Sequence, residues 1–338
     1  MKTLKVGING FGRIGRNAAR IILGKKNLEL VAINSRAEAS SHAYLLKYDT
    51  TYGTLENDVK VDGENLSVDG KKIAVFRNDL PEEIPWKEAG VDIVIESSGK
   101  FRTTEDALGH TKQGAKYVVI SAPAKDDTKT LVLGVNEENF DPGKDIVISN
   151  SSCTTNCLST VVKVLHEKFK IKIGYMTTVH AVTDSQNLLD NSHKKDARLR
   201  RASFTNMIPT STGSAKDIGK LYKDLKGKIV CKSLRVPLLT GSIIDLTVEV
   251  AKTTTRDDVN AAYKKYSEGE LKGILGISQD QLVSSDYVGS PYSSIVDTYM
   301  TETLGNLVKV YAWYDNEWGY TTRLVEMIGY VAKKGKLV

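Results

Sequence analysis

Residues 4–15 read LKVGINGFGRIG, and this stretch decides the fold of the first part of the chain. An apolar strand, Leu4 to Asn9, runs directly into Gly10, Gly12 and Gly15, which form a G-x-G-x-x-G pattern at the start of a helix. Glycine allows the tight turn, the close approach of a pyrophosphate and the packing of helix on strand, and the helix N-terminus attracts the anion. The stretch predicts a dinucleotide-binding domain; the alternative is a merely tight strand-to-helix turn.

Short apolar runs alternate with helix-like stretches through the first half of the chain. They lie at Leu4 to Asn9, Ile14 to Leu23, Leu28 to Asn34 and Ser41 to Tyr48, with further strands predicted at Val91 to Glu96, Tyr117 to Ser121 and Asp145 to Ser149. A β-α-β-α order is typical of a parallel sheet. The pattern predicts an α/β Rossmann-type domain that ends near residue 150, with a hairpin region between Val59 and Phe76.

Longer strand-like stretches follow, and they predict an α+β domain with a largely antiparallel sheet. They are Ile171 to Thr183, Ile229 to Pro237, Ser242 to Val250 and Val308 to Trp313. The polar connection Asp184 to Met207 is long, and long connections in compact domains are usually functional. Near the end, Thr321 to Lys333 carries apolar residues at helical spacing, so an amphipathic helix is expected.

The composition restricts the class of protein. With 338 residues, of which 41% are hydrophobic and 26% charged, two soluble domains are expected. The net charge of +6 is scattered along the chain, which fits anionic small ligands and does not predict nucleic acid as a primary partner. Three cysteines without metal-ligand spacing predict neither a disulfide framework nor a metal site. Without a long apolar run, we expect a cytoplasmic protein that does not span a membrane.

A second centre lies at residues 149–157, which read SNSSCTTNC. Ser151 or Ser152 is a suitable N-cap for the helix that follows. Cys153 is then in the first turn, where backbone amides and the helix dipole are expected to lower the pKa of a thiol and favour a nucleophilic thiolate. Cys157, one turn later, is predicted to be part of the core, as are Leu158, Val161, Val162 and Leu165.

A thiolate that attacks a carbonyl needs a base. The chain has five histidines, His42, His110, His166, His180 and His193. His180 follows an apolar stretch and is expected near the end of a strand, but spacing alone does not choose among the five. Several hydroxyl and cationic groups could bind phosphate: Ser152, Thr154, Thr183, Arg235 and the run of residues 208–213. They can form a phosphate site only if they lie close together in the folded chain.

The end of the second strand bears on cofactor choice. Dinucleotide-binding folds usually place an acid there for the ribose 2′-hydroxyl of NAD, but residues 32–36 read AINSR. A carboxylate would repel a 2′-phosphate, whereas the hydroxyl of Ser35 and the guanidinium of Arg36 can bind one. NADP is therefore favoured and NAD remains possible. The alternative is that Arg36 is merely solvated and Glu38 replaces the missing acid.

Five motifs together resemble the glyceraldehyde-3-phosphate dehydrogenase family. They are KVGINGFGRIGR at 5–16, SNSSCTTNC at 149–157, TTVHAVT at 177–183, IPTSTGSAK at 208–216 and WYDNEWGY at 313–320. The match runs in order along essentially the whole chain. The resemblance implies a nucleotide-binding domain over 1–152, completed by 318–338, and a catalytic domain over 153–317. It also implies a homotetramer in which the loop 184–207 packs near a neighbouring subunit's cofactor.

The resemblance implies a mechanism as well. Cys153 attacks the aldehyde of glyceraldehyde 3-phosphate, His180 takes the proton during hydride transfer, and inorganic phosphate releases 1,3-bisphosphoglycerate from the thioester. By the same resemblance, Thr183 and Arg235 hold the phosphate of the substrate. The attacking phosphate is assigned to Ser152, Thr154, Thr212 and Gly213, together with one of Arg198, Arg200 or Arg201, among which the choice stays open.

Cofactor contacts are also implied by the resemblance. Asn316 matches the residue that orients the nicotinamide carboxamide, and further matches fall on Arg13, Ile14, Arg77 and Ser121. Two departures from the usual NAD-dependent pattern, at Ser35 and at the loop pair Asn191 and Ser192, favour a 2′-phosphate. Two alternatives remain: erythrose-4-phosphate dehydrogenase, a relative that passes the thioester to water, and a binding protein that has lost catalysis and docks RNA.

Overall fold

The computed structural model describes residues 2–194 and 196–338. Two units are distinguished: one comprises the chain up to Ser151 together with Thr321–Val338, and the other is Ser152–Tyr320. The boundaries expected from the sequence, after residues 152 and 317, are close to these divisions. Among the described residues, no helix has the length and apolar character to cross a membrane.

The first unit is built on a nine-stranded sheet in the order β10-β11-β9-β8-β1-β2-β7-β6-β5. Its strands, with a separate small pair β3 and β4, are β1 (Leu4–Asn9), β2 (Leu28–Asn34), β3 (Tyr48–Asp49), β4 (Gly53–Thr54), β5 (Val59–Asp62), β6 (Asn65–Val68), β7 (Lys71–Phe76), β8 (Ile93–Glu96), β9 (Tyr117–Ile120), β10 (Lys129–Thr130) and β11 (Val147–Ser149). Its first helices are α1 (Arg13–Leu23), α2 (Ala39–Lys47) and α3 (Thr104–Lys112). Strands β10 to β7 in this order pair in parallel, which confirms the predicted Rossmann-type sheet.

The predicted hairpin region forms the other edge of this sheet. β5, β6 and β7 pair antiparallel with one another, and the turns fall at the two Asp-Gly pairs near residues 63 and 70. Gly63 and Gly70 have positive φ angles, which glycine adopts without the strain that a Cβ causes. The turn residues thus act as the sequence pattern predicts.

The second unit is built on a seven-stranded sheet in the order β13-β14-β12-β15-β18-β17-β16. Its strands and helices are α4 (Cys153–Phe169), β12 (Ile171–His180), β13 (Ile208–Ser211), α5 (Ser214–Leu221), β14 (Ile229–Arg235), β15 (Ser242–Val250), α6 (Arg256–Glu268), β16 (Leu275–Ser278), β17 (Ser294–Leu304) and β18 (Leu307–Tyr314). Most neighbours pair antiparallel, as predicted, but β12 pairs with β14 and β16 with β17 in parallel. The parallel pairing of β12 with β14 brings His180 and Arg235 to the same end of the sheet.

Two predicted apolar stripes are confirmed. On α4 the buried residues include Cys157, Leu158, Val161, Val162 and Leu165, which pack into the core of the second unit. The last helix, α7 (Trp318–Lys334), starts three residues before the predicted Thr321 and buries Leu324, Val325, Ile328 and Val331. Burial of such stripes, at roughly 25 cal/mol per Å² of apolar surface, stabilises helices that have little stability alone.

Candidate active site

Cys153 is the first residue of α4, and a sharp turn precedes it. Ser151 adopts a left-handed conformation with φ of 56°, which is uncommon for a residue with a side chain. Ser152 is then the N-cap, because its Oγ accepts a hydrogen bond from the backbone N–H of Thr155 at 3.1 Å. Of the two predicted caps, the structure selects Ser152, and it places the Cys153 thiol at the N-terminus of a helix of 17 residues.

His180 lies next to this thiol. Its Nε2 is 3.5 Å from Cys153 Sγ, and the imidazole is 97% buried at the end of β12. The structure therefore distinguishes His180 from the other histidines, which sequence spacing did not. A thiol in contact with an imidazole nitrogen is the arrangement that proton transfer from a nucleophile requires.

Arg235 meets His180 because their strands run in parallel. In the register of β12 and β14, His180 is the partner of Arg235, so both side chains emerge at the same edge of the sheet. Arg235 Nη1 lies 2.5 Å from His180 Nδ1 and donates to the carbonyl oxygen of Ala181 at 3.1 Å. An arginine fork thus lies beside the base, with its charge available to a substrate anion.

The Ala181 carbonyl also bears on the tautomer of His180. This oxygen lies 2.7 Å from Nδ1. A proton on Nδ1 is donated to the carbonyl and leaves a lone pair on Nε2 towards Cys153, whereas an unprotonated Nδ1 accepts from Arg235 and places the proton on Nε2. Only in the first tautomer can Nε2 accept a proton on the side that faces the sulfur. The hydrogen bond to the Ala181 carbonyl favours this tautomer.

Burial shifts the pKa values of the Cys153 thiol and the His180 imidazole towards the neutral form of each group. Burial raises the pKa of the Cys153 thiol, and the Arg235 charge and hydrogen bonds from Thr154 oppose this rise without cancelling it. The expected lowering of the Cys153 pKa is therefore wrong, because desolvation of the thiolate outweighs the helix amides. Burial, followed by the Arg235 charge, lowers the pKa of His180 to about 3. A neutral imidazole is ready to accept a proton.

A chain of hydroxyl groups joins the N-termini of α4 and α5. Ser152 Oγ lies 2.8 Å from Thr155 Oγ1, Thr155 Oγ1 donates to Ser214 Oγ at 3.3 Å, and Ser214 Oγ lies 3.0 Å from Thr212 Oγ1. Gly213 is the N-cap of α5, and a Cβ there would have no described atom within 4 Å. Hydroxyls, helix N-termini and open space together suit an oxyanion.

The Thr154 hydroxyl contacts a buried tyrosine. It lies 3.0 Å from Tyr314 Oη in the interior, and Tyr314 Oη also contacts Thr178 Oγ1 at 2.8 Å. Hydrogen bonds from Thr154 act on the Cys153 sulfur. The assignment of Thr154 to the attacking phosphate stays a prediction, while Ser152 and Thr212 belong to the hydroxyl chain.

Thr183 lies in the loop that follows β12. Its hydroxyl is 2.9 Å from Ser185 Oγ, and its N–H donates to Gln186 Oε1 at 3.2 Å. Within residues 2–194 and 196–338, no group of His, Cys, Asp and Glu side chains could hold a metal ion. The described site is one of thiol, imidazole, guanidinium and hydroxyl groups.

Comparison with known proteins agrees with this geometry. The family profile described as glyceraldehyde 3-phosphate dehydrogenase, NAD binding domain, matches residues 4–104, and the profile described as the C-terminal domain matches residues 152–316. The chain belongs to the glyceraldehyde-3-phosphate dehydrogenase family. Relatives include the glyceraldehyde-3-phosphate dehydrogenase of Geobacillus stearothermophilus, 50% identical over 98% of this chain and 99% of the relative. Glyceraldehyde-3-phosphate dehydrogenase 2 of Streptomyces avermitilis is 51% identical over the same shares.

The NAD-binding domain of this family implies a nicotinamide cofactor, and the first unit fits one. Gly10 has φ of +91°, and a Cβ on it would lie 2.4 Å from Ser98 N; a Cβ on Gly15 would lie 2.1 Å from Gly10 O. These two glycines are required by the turn itself. A Cβ on Gly12, the N-cap of α1, would have no described atom within 4 Å. Open space at this helix N-terminus is suited to a pyrophosphate.

Asn34, the last residue of β2, has a side chain that is fully engaged in hydrogen bonds. Its Nδ2 donates to Asn9 Oδ1 at 2.8 Å and to the Asn78 carbonyl at 3.0 Å, and its Oδ1 accepts from Asn78 N–H at 2.9 Å. Asn34 thus holds the segment after β7 against β2. The two residues that follow are more accessible: Ser35 is half-buried and Arg36 is exposed.

Sequence reasoning missed Asp79. Both Nε and Nη2 of Arg36 donate to Asp79 Oδ1, at 3.1 and 2.9 Å, in a pair that is more than 70% exposed on each side. Arg77 is exposed two residues earlier. The acid that pairs with Arg36 thus lies in the segment after β7. Neither the sequence at the end of β2 nor the alternative that considered Glu38 predicted this pairing.

Three further residues that the resemblance assigns to the cofactor lie at the start of α1 and just after β9. Arg13 directs its guanidinium to Asp49 and over the ring of Tyr52. Ile14 is half-buried in the first turn of α1, and Ser121, just after β9, donates its N–H to Glu96 O at 2.9 Å.

Two arginines of the long loop are occupied within it. Arg201 Nε donates to Asp190 at 3.0 Å, and Arg200 Nε lies 3.4 Å from the His193 carbonyl. For the Arg198 guanidinium, no bond is seen to the described residues. Asn191 and Ser192 are exposed, and both of their carbonyls accept from Asn187 Nδ2, at 2.8 and 3.2 Å.

Proposed function

We propose that this chain catalyses the phosphorylating oxidation of glyceraldehyde 3-phosphate, with a nicotinamide cofactor, through a thioester on Cys153. The single observation that carries the proposal is the contact of Cys153 Sγ with His180 Nε2, beside the Arg235 guanidinium. The relatives named above carry the name of this enzyme, and their identity spans nearly the whole chain.

The proposed chemistry follows from the neutral thiol and imidazole. The Cys153 sulfur adds to the aldehyde carbon and forms a hemithioacetal. A bound nicotinamide ring supplies the hydride acceptor. His180 Nε2 takes the hydroxyl proton of the hemithioacetal as the carbon is oxidised, which leaves a thioester on Cys153. Phosphate oxygen then attacks the thioester carbon, the C–S bond breaks, and 1,3-bisphosphoglycerate leaves.

Two anion sites are proposed around the sulfur. The phosphate of the substrate binds Arg235 and Thr183, and the attacking phosphate binds the hydroxyl chain with Gly213. Thr155 and Ser214 join Ser152 and Thr212 in holding the hydroxyls in place. Among the three loop arginines we assign Arg198, because the other two are engaged by loop residues.

Substrate charge also adjusts the base. The Arg235 charge lowers the pKa of His180, so an anion that pairs with Arg235 opposes this effect. The same pairing competes for the N–H that reaches His180 Nδ1, and it favours the tautomer whose Nε2 lone pair faces sulfur. The base is therefore strengthened when the phosphorylated substrate is bound.

For the cofactor, we propose a preference for NADP, with NAD also used. Ser35 and Arg36 face the adenosine ribose, Arg77 is a third candidate, and Asn191 with Ser192 act on a neighbouring subunit's 2′-phosphate. The preference rests on the missing carboxylate after β2 and on a guanidinium that can exchange Asp79 for a phosphate.

Ser35→Asp is expected to shift the preference towards NAD. The new carboxylate repels the 2′-phosphate and accepts from the ribose 2′-hydroxyl, an effect on the order of 1 to 3 kcal/mol in the ratio of kcat/KM for the two cofactors. Steady-state kinetics with both cofactors measure it. An unchanged ratio would move the discrimination to Asn191 and Ser192.

Asp79→Asn is expected to shift the preference the other way, by about twofold to fivefold towards NADP. The substitution removes a carboxylate that competes with the 2′-phosphate for Arg36. Asp58→Asn is the matched control, since Asp58 is an exposed acid paired with Lys60 at 2.5 Å in the same unit. Equal ratios for the two variants would argue against a role for Asp79.

The experiment that tests the function is the initial rate of glyceraldehyde 3-phosphate oxidation with NAD and with NADP, each with and without inorganic phosphate. Phosphate-dependent turnover supports the proposal. Turnover that is indifferent to phosphate would favour the erythrose-4-phosphate relative, and an inactive protein that binds RNA would favour the binding alternative.

The family resemblance also supports a cytoplasmic homotetramer. Sedimentation velocity tests the tetrameric state.

A further inference from the structure

Ser242 is a buried serine to which neither the sequence motifs nor the proposed chemistry assign a role. Its hydroxyl accepts a hydrogen bond from the backbone N–H of Ala181 at 3.2 Å and lies 2.8 Å from Asn316 Oδ1, to which it donates. Only 2% of the residue is exposed. One hydroxyl thus connects the segment after His180 with the residue assigned to the nicotinamide carboxamide.

Topology places Ser242 between these two segments. It is the first residue of β15, which pairs antiparallel with β12 on one side and with β18 on the other. β12 ends at His180, and β18 ends at Tyr314, the register partner of Ser242. The first residue of β15 can therefore reach both Ala181 and Asn316, each of which lies just past the end of a neighbouring strand.

On the β12 side, Ser242 acts on the residue that orients the base. Ala181 N–H donates to Ser242, while Ala181 O is the group that contacts His180 Nδ1 at 2.7 Å and Arg235 Nη1 at 3.1 Å. Ala181 is fully buried, so without the hydroxyl its N–H loses this partner in a site that water does not readily fill. Displacement of Ala181 moves the carbonyl on which the useful tautomer depends.

On the β18 side, Ser242 helps to hold the oxygen end of the Asn316 amide, together with Gly241 N–H and, at 3.4 Å, Thr240 Oγ1. Asn316 Oδ1 also accepts from Gly241 N–H at 3.1 Å, and a backbone N–H can only donate. The oxygen must therefore face Ser242 and Gly241, which leaves Nδ2 on the other side. No described residue accepts a hydrogen bond from Nδ2, so this donor is available to a carboxamide oxygen.

We propose that Ser242 is a positioning residue whose hydroxyl holds the His180 base and the Asn316 amide in a common geometry, through Ala181 on one side and Asn316 Oδ1 on the other. The proposal rests on the proposed function, because it takes Asn316 as the carboxamide donor and His180 as the base. It predicts that a single hydroxyl affects both nicotinamide recognition and thiol reactivity.

The first test measures binding in the absence of substrate. Calorimetry compares each nicotinamide nucleotide with the matching ADP-ribose, which lacks only the nicotinamide. Ser242→Ala is expected to weaken nicotinamide nucleotide binding by about tenfold, the effect of one lost buried hydrogen bond, and to leave ADP-ribose binding unchanged. Equal weakening of both ligands, or of neither, would overturn the proposal. If the alanine variant does not fold, Ser242→Cys, with a thiol that bonds weakly, replaces it in this test.

A matched control is Ser293→Ala. Ser293 is also buried, and its hydroxyl has no hydrogen-bond partner among the described residues, so this variant reports the loss of a buried hydroxyl as such. It should bind both ligands like the parent protein. A Ser293 variant that reproduced the Ser242 pattern would reduce that pattern to a general packing effect and overturn the proposal.

Asn316→Ala separates the proposal from its premise. If Asn316 holds the carboxamide, this variant also loses affinity for the nicotinamide nucleotide alone, and adding Ser242→Ala causes no further loss. Additive losses would overturn the coupling. If Asn316→Ala leaves nicotinamide binding intact, the assignment of Asn316 fails instead, and the reactivity of the thiol decides the role of Ser242.

That reactivity is measured without cofactor as the rate of Cys153 alkylation by iodoacetamide against pH. Ser242→Ala is expected to slow alkylation at neutral pH several-fold, about what one hydrogen bond contributes, because the base loses its orientation. Ser293→Ala should not slow it. An alkylation profile of the Ser242 variant that matches the parent protein would overturn the action on His180.

Discussion

Replacement of Cys153 with serine is expected to lower phosphate-dependent oxidation of glyceraldehyde 3-phosphate by roughly 10⁴-fold or more, with cofactor affinity close to that of the parent protein. Cys153 is the residue at the N-terminus of α4 that faces His180 at 3.5 Å. A serine hydroxyl keeps the shape of the site but is a far weaker nucleophile and does not form a thioester. The loss should therefore appear in kcat.

Cys157→Ser is the control for this variant. Cys157 lies one turn further along α4, is fully buried in the core, and has a pKa that burial raises well above its usual value. Its substitution should reduce stability and leave turnover largely intact. Mass spectrometry of acid-quenched reactions should find an acyl adduct on Cys153 and none on Cys157. Near-normal turnover of Cys153→Ser would contradict the covalent mechanism.

Removal of the base is the second large effect that we expect. His180→Asn should lower turnover by roughly 10² to 10⁴-fold, the usual contribution of a positioned acid or base. His180, whose pKa is lowered to about 3, is neutral throughout the neutral range and can accept a proton, whereas asparagine cannot. The measurement is kcat against pH with saturating phosphate and cofactor.

The pH dependence of Cys153 alkylation gives a second check on the same variant. Since burial raises the pKa of the thiol, the thiol stays protonated at neutral pH and alkylation becomes faster as pH rises. In His180→Asn the neutral-pH rate should fall, because no imidazole accepts the proton. His166→Asn is the control, since His166 pairs with Asp224 at 2.7 Å near the end of α4. Equal profiles for both variants would contradict the assignment of the base.

Several features of the fold were predictable because they depend on neighbours in sequence. The helix period of α4 and α7, the turns at Gly63 and Gly70, and the restriction of the α4 N-cap to Ser151 or Ser152 are all determined within one or two turns of chain. The glycines of residues 10–15 belong to the same class, since the turn itself excludes a Cβ at Gly10 and Gly15. Local steric limits and hydrophobic periodicity are visible in the sequence itself, and they predict these elements.

Features that depend on residues brought together from distant parts of the sequence were not predictable. The helix dipole predicted a lowered pKa for Cys153, but burial of the thiol in the folded chain raises it. Asp79 pairs with Arg36 across a separation of 43 residues, and the hydroxyl chain joins α4 to α5 across 59. Each of these contacts has a signal only in the folded structure.

By itself, the sequence of this protein determined the glycine turn before α1, the cysteine at the start of α4, the apolar faces and the family motifs. Only the tertiary structure decided that His180 lies beside Cys153, that Arg235 lies next to His180, and that Ser242 connects Ala181 with Asn316. The physical reason is register. His180 and Arg235 are 55 residues apart and meet because β12 and β14 pair in parallel, and strand pairing depends on the packing of the whole sheet and not on local chain preference.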